Sequence, residues 1–169
     1  MDQINGEKGT NYCLKIYSPE KNEKILAHLD QYDSIELCGF VVGKEFQEAF
    51  EQAQLLLHTE AFDEASVDFV KHSVSTKIAD SLASGIPLLA YAPASISSMQ
   101  HLVRNQCALT ATEYSMLKPV LLKAFESGDG LHQISTNALA TAARFHDREK
   151  VSNQLHEIII EAICAPREQ

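Results

Sequence analysis

The stretch HSVSTKIAD, residues 72–80, sets hydroxyls, a cation and an acid where a helix should begin. Ser75, Thr76 and Lys77 are consecutive, and Asp80 follows about one helical turn later. That order has a chemistry. A helix N-terminus carries unpaired N–H groups and about half a unit of positive charge, so it attracts anions. With Ser75 as the cap, the Thr76 and Lys77 amides point at a ligand. Ile78, Ala79, Leu82 and Ala83 make the buried stripe, which leaves Asp80 on the other face beside Thr76 and Lys77. A carboxylate there can accept hydroxyl hydrogen bonds, as from a ribose. The same residues also fit a plain helix cap followed by a solvated Lys–Asp pair, and spacing alone leaves both readings open.

The elements that must position this junction follow from the periodicity. Short apolar runs at 12–18, 34–41, 54–61, 87–92 and 107–112 predict strands. Amphipathic stretches at 19–32, 43–53, about 75–84, 95–106, 115–127 (interrupted near Pro119), 130–145 and 147–164 predict helices. Residues 1–10 read as a frayed or partial lead-in, and FDEASVDFVKHS as a polar, acidic loop. Strands alternating with helices of this length call for βαβ crossovers and a parallel sheet buried on both faces. The fold expected is a Rossmann-like α/β doubly wound sheet of about five strands, in a single domain over 11–165. Ligands of such sheets sit beyond the carboxyl ends of the strands, where the helices begin.

The bulk properties narrow the function. The chain has 169 residues and a net charge of −9. Such a surface repels phosphate backbones, which argues against general nucleic-acid binding. Cys13, Cys38, Cys107 and Cys164 are scattered without a C-x-x-C pair, a pattern that suits a reducing, cytoplasmic setting. Seven histidines show no i, i+4 pairing and no nearby Cys, whereas a closed zinc site needs four convergent ligands, so no metal site is expected. His58, at the end of an apolar strand, points toward the carboxyl-end crevice. Walker A, G-x-G-x-x-G and G-x-S-x-G patterns are all missing from the sequence.

STKIADSLASGIPLLAY, preceded by LLLHTEAF and followed by SISSMQHLVRNQCAL, resembles the nucleotide-sugar half of a GT-B glycosyltransferase. The likeness is to the large retaining family known as family 4, with its helix of the form T-K-x-x-E-x-L-A-x-G-x-P. LKIYSP and IELCGFVVGKEFQEAFEQAQLLLHTEAF resemble the strand and helix succession that precedes that helix. The likeness runs over about residues 12–127, and the last two helices resemble the family's C-terminal pair.

The resemblance implies roles. Asp80 stands at the second acid of the family's Glu-x7-Glu pair, which holds the donor ribose. The first acid falls on His72, a departure from the pattern, and these two are the candidate catalytic positions. Ser75 and Thr76 match the helix start that receives the diphosphate, with Lys77 beside them. Val41, Val42 and Gly43 match the loop near the base. Asp63 and Glu64 are candidate sugar contacts, and Lys71 and Lys77 are the nearest cations. The implied reaction moves a sugar from a nucleotide diphosphate donor to an acceptor hydroxyl, with no cofactor and no essential metal. The family's acceptor half has no counterpart here, nor do the first strand and helix of its donor half. The expectation is therefore nucleotide binding without turnover by this chain alone. Apolar surface on the last helix adds the expectation of a homo-oligomer.

The alternative is a non-catalytic α/β interaction module of receiver or flavodoxin-like architecture. Receivers need an acidic cluster after the first strand and an Asp after the third, and LKIYSP and LLLHTEA supply neither. A flavodoxin-like site calls for a hydroxyl-rich loop after the first strand, which YSPEKN barely offers.

Overall fold

The structure is a computed structural model that describes residues 1–126 and 128–164. The chain divides into two compact units, Met1–Ala53 and Gln54–Gln169.

The first unit opens with helix α1 (Asp2–Lys8) where a frayed lead-in was expected. Local polar bonds account for the difference. Gly9, at φ 63°, closes the helix in the left-handed region. Asn5 pairs with the Tyr12 backbone in both directions, Oδ1 accepting from the amide and Nδ2 donating to the carbonyl, each at 2.8 Å. Asp2 accepts from the buried Ser34 amide at 2.8 Å. Strand β1 (Leu14–Ile16) then pairs in parallel with β2 (Ile35–Leu37), with α2 (Glu23–Leu29) between them and α3 (Gly43–Gln52) following.

The second unit carries β3 (Leu56–Thr59), α4 (Glu64–Val70), α5 (Thr76–Ala83), β4 (Leu88–Tyr91), α6 (Ser97–Arg104), β5 (Leu109–Ala111), α7 (Tyr114–Glu126), α8 (Gly128–Phe145) and α9 (Arg148–Cys164). Its sheet has the order β3-β4-β5, all parallel, with His58 opposite Ala90 and Ala90 opposite Thr110. The α/β class and parallel pairing are as expected. The single sheet of about five strands is not: the ladders form one sheet of two strands and one of three.

Burial explains why the second sheet is well defined. Leu88, Leu89 and Ala90 of β4 are all buried, as a central parallel strand requires. Leu88 and Ala90 pack with Ile78 and Leu82 of α5, Met99 and Leu102 of α6, Cys107, and Ala138 and Ala142 of α8 in one core. Gly85 turns the chain from α5 into β4 at φ 70°, and a Cβ there would meet the Leu139 side chain at 3.3 Å.

Two further departures have local causes. The acidic stretch expected as a loop contains α4, capped by Asp63, whose side chain accepts from the Ser66 amide at 3.0 Å. Val67 and Val70 of that helix pack on the core. Helix α7 runs through Pro119 without a break. Its expected last residue, Ser127, lies outside the described residues, as does Ala165, the expected end of the domain.

Candidate functional site

A cleft of about 290 Å³ opens in the second unit, lined by Glu60, Val70, Ser73, Val74, Ser75, Thr76 and Ser98. It lies at the carboxyl end of β3 and at the starts of α5 and α6, where an open parallel sheet receives ligands. Its walls carry hydroxyls from four residues and one carboxylate beside the apolar Val70 and Val74. A second cleft of about 390 Å³ lies toward the amino end of β5, between Val103, Gln106, Leu109, Val120, Lys123 and Ile134. It is the larger, but it faces away from the helix starts that suit an anion.

The first cleft is shaped by a relay. Ser98, 3% exposed, accepts from the Ser75 amide at 3.1 Å and donates to the Ser73 carbonyl at 3.2 Å. One residue earlier, Ser97 uses its amide (2.9 Å) and its hydroxyl (2.8 Å) to hold the Lys71 carbonyl. The first turn of α6 thus fixes the loop that delivers the chain into α5. Ser75 sits at the N-cap position of α5, but its side chain makes no cap bond. The hydroxyl is therefore free of the capping role that its position suggested. At the next two positions the Thr76 and Lys77 amides have no backbone or side-chain acceptor among the described residues.

Beside the cleft, His58 of β3 is buried, with Nε2 3.3 Å from Glu60 Oε1. That nitrogen has no hydrogen-bond partner among the described residues, and the contact with Glu60 becomes an ion pair only when His58 is protonated. Desolvation pushes the His58 pKa below its ordinary value, and the Lys77 charge pushes the same way. Glu60 opposes both.

The expected site residues separate into four groups. Ser75 and Thr76 line the cleft. His72, Lys77 and Asp80 are exposed on the same loop and helix but are not among its walls. Asp63 caps α4 and Glu64 lies in that helix's first turn. Hydrogen bonding from Ser66 holds the Asp63 carboxyl below the usual carboxylate value. Val41, Val42 and Gly43 belong to the first unit, where Val42 is the N-cap position of α3 and Gly43 begins the helix at φ 57°. Glu60, Ser73 and Ser98 were missed by the sequence reading. For Glu60 a signal existed: an acid at the carboxyl end of an apolar strand. For Ser98 the approach to Ser75 depends on a crossover that no local pattern encodes.

No protein-family model and no curated protein matches the sequence. Among solved structures, the fold is similar to that of WaaG, a glycosyltransferase involved in lipopolysaccharide biosynthesis. The TM-score is 0.58 at 20% identity, over 78% of this chain and 34% of that one, so this chain spans about a third of its structural neighbour.

Proposed function

We propose that this chain is the donor-binding portion of a glycosyltransferase, with the diphosphate of a nucleotide sugar seated in the cleft at the start of α5. The observation that carries the reading is the cleft itself: hydroxyls of Ser73, Ser75, Thr76 and Ser98 around unengaged first amides, at the carboxyl end of β3. Developing negative charge on a departing diphosphate is stabilised by fixed donors of this kind. Lys71 and Lys77 add positive charge at the same junction, so the proposal needs no essential metal there. Asp80 receives ribose hydroxyls on the outer face of α5. Glu60, on the cleft wall, supplies the acceptor for sugar hydroxyls that His72 cannot provide. Similarity of fold to a glycosyltransferase supports the reading. Transfer to an acceptor is proposed for the assembly in which this chain works, and donor binding for the chain itself.

The test is thermal unfolding with UDP, GDP, ADP and CMP, repeated with Asp80→Ala. A nucleotide at one hundred times its dissociation constant adds about 2.7 kcal/mol, a shift readily measured. One nucleotide is expected to raise the midpoint, and Asp80→Ala to remove most of that rise. A flat response to all four would overturn the reading.

A further inference from the structure

His101 lies in the last turn of α6, and His146 directly follows Phe145, the last residue of α8. Although 45 residues apart in sequence, their Nε2 atoms are separated by 3.1 Å. The rings meet at 81° with centroids 5.1 Å apart. Both are held in place. Phe145 packs edge-on against His101 at 5.6 Å. The His146 amide donates to the Ala142 carbonyl at 2.9 Å, and Ala142 belongs to the core.

Two neutral imidazoles at this distance can share one proton, a single Nε2–H donating to the other ring. The same separation meets a second requirement. Zinc-like ions bind imidazole nitrogen at about 2.0–2.1 Å, so two nitrogens this far apart subtend about 100° at such an ion. That angle falls between the cis angle of an octahedral ion and the tetrahedral angle. Burial pushes both histidines below their ordinary pKa, and His146 and Arg104 push His101 the same way. The neutral ring is the form that binds metal.

We propose that His101 and His146 form a two-histidine site for a borderline divalent cation such as Zn²⁺ or Ni²⁺, which staples the end of α6 to the end of α8. Water completes the coordination shell. Among the described residues no group of three or more His, Cys, Asp or Glu is placed to hold a metal, so no third protein ligand is invoked. Asp147, next in sequence, is engaged with the Lys150 amide at 2.9 Å. Metal binding moves each ring proton to Nδ1. At His101 that proton faces Asn105 Nδ2, a second donor, at 3.5 Å, a contact that opposes the shift and adds to the weakness of the site. Two protein ligands, with the Arg104 charge nearby, make this site weaker than a closed four-ligand one. His101 follows Ser98 by about one helical turn on α6, but neither histidine lines the cleft, so the role of the pair is to clamp helices and not to touch the donor.

The experiment is titration of Ni²⁺ and Zn²⁺ into the full chain with thiols alkylated, since exposed Cys13 and Cys164 would compete. One ion per chain and a raised unfolding midpoint are expected. His101→Gln and His146→Gln should each weaken binding at least about tenfold, or 1.4 kcal/mol, and remove the rise in midpoint. His156→Gln, at an exposed histidine, should change neither. If a variant fails to fold, Ni²⁺ broadening in the unaltered protein decides: the His101 and His146 ring protons should broaden first. Unchanged affinity in both variants, or broadening confined to the exposed His28, His72, His132 and His156, would overturn the proposal.

Discussion

Ser98 shows how much one hydroxyl can carry. It satisfies the Ser75 amide and returns a bond to the Ser73 carbonyl while almost fully buried. Ser98→Ala leaves that amide without its acceptor, an effect of about 1–3 kcal/mol. Urea unfolding should register it, and nucleotide affinity should fall with it because the loop entering α5 loses its anchor. His58 contributes a pH dependence of definite sign. Its folded pKa lies below the ordinary 6.5, so the unfolded chain takes up its proton first as pH falls. Its contribution is present in full above pH 6.5 and is lost as pH falls from there through the lowered folded value. Unfolding midpoints measured from pH 8 down to about 5 should therefore fall more steeply for the native chain than for His58→Gln. Residue chemistry was legible where it was local. Ser75 and Thr76 could be placed at a helix start, and so at the cleft, because the cap pattern lies within one turn. Ser98 and Glu60 could not, since each reaches the cleft only after a strand and helix have been laid beside another.

Elements were legible in type more than in extent. Apolar runs marked all five strands, but each ladder covers only three or four residues, because a run continues past the last paired position into the loop. Helix α4 was hidden by its acids, although Asp63 followed by Glu64 is the usual polarity of a helix start and Val67 and Val70 have helical spacing. Helix α7 was expected to break at Pro119, yet the chain stays helical around it. The α5–β4 turn gives a sharper test. Gly85 holds a left-handed φ with the Leu139 side chain at contact distance from any added Cβ. Gly85→Ala should destabilise the chain by about 1–2 kcal/mol, the cost of left-handed backbone for an L-residue. Denaturant unfolding checks it, and a neutral result would mean that the turn can relax.

At the scale of the molecule, α9 stands out. Leu155, Ile158 and Ile163 are 56%, 61% and 74% exposed, with Val151 and Ile159 beside them. An apolar stripe of this kind is characteristic of a surface that meets another. Light scattering over a concentration series should show self-association, reduced by Ile158→Lys and Ile163→Lys; a monomer at every concentration would sink the idea. No helix among the described residues is long and apolar enough to cross a membrane. Opposed to that exposed stripe is the anchored loop at the cleft. Its fastenings to α6 are a few hydrogen bonds through Ser97 and Ser98, each of modest net strength, while Leu88 and Leu89 of β4 are held by apolar burial. Opening of the loop is therefore expected to cost less free energy than unfolding of the sheet. Exchange of a ligand at the cleft would then leave the core intact.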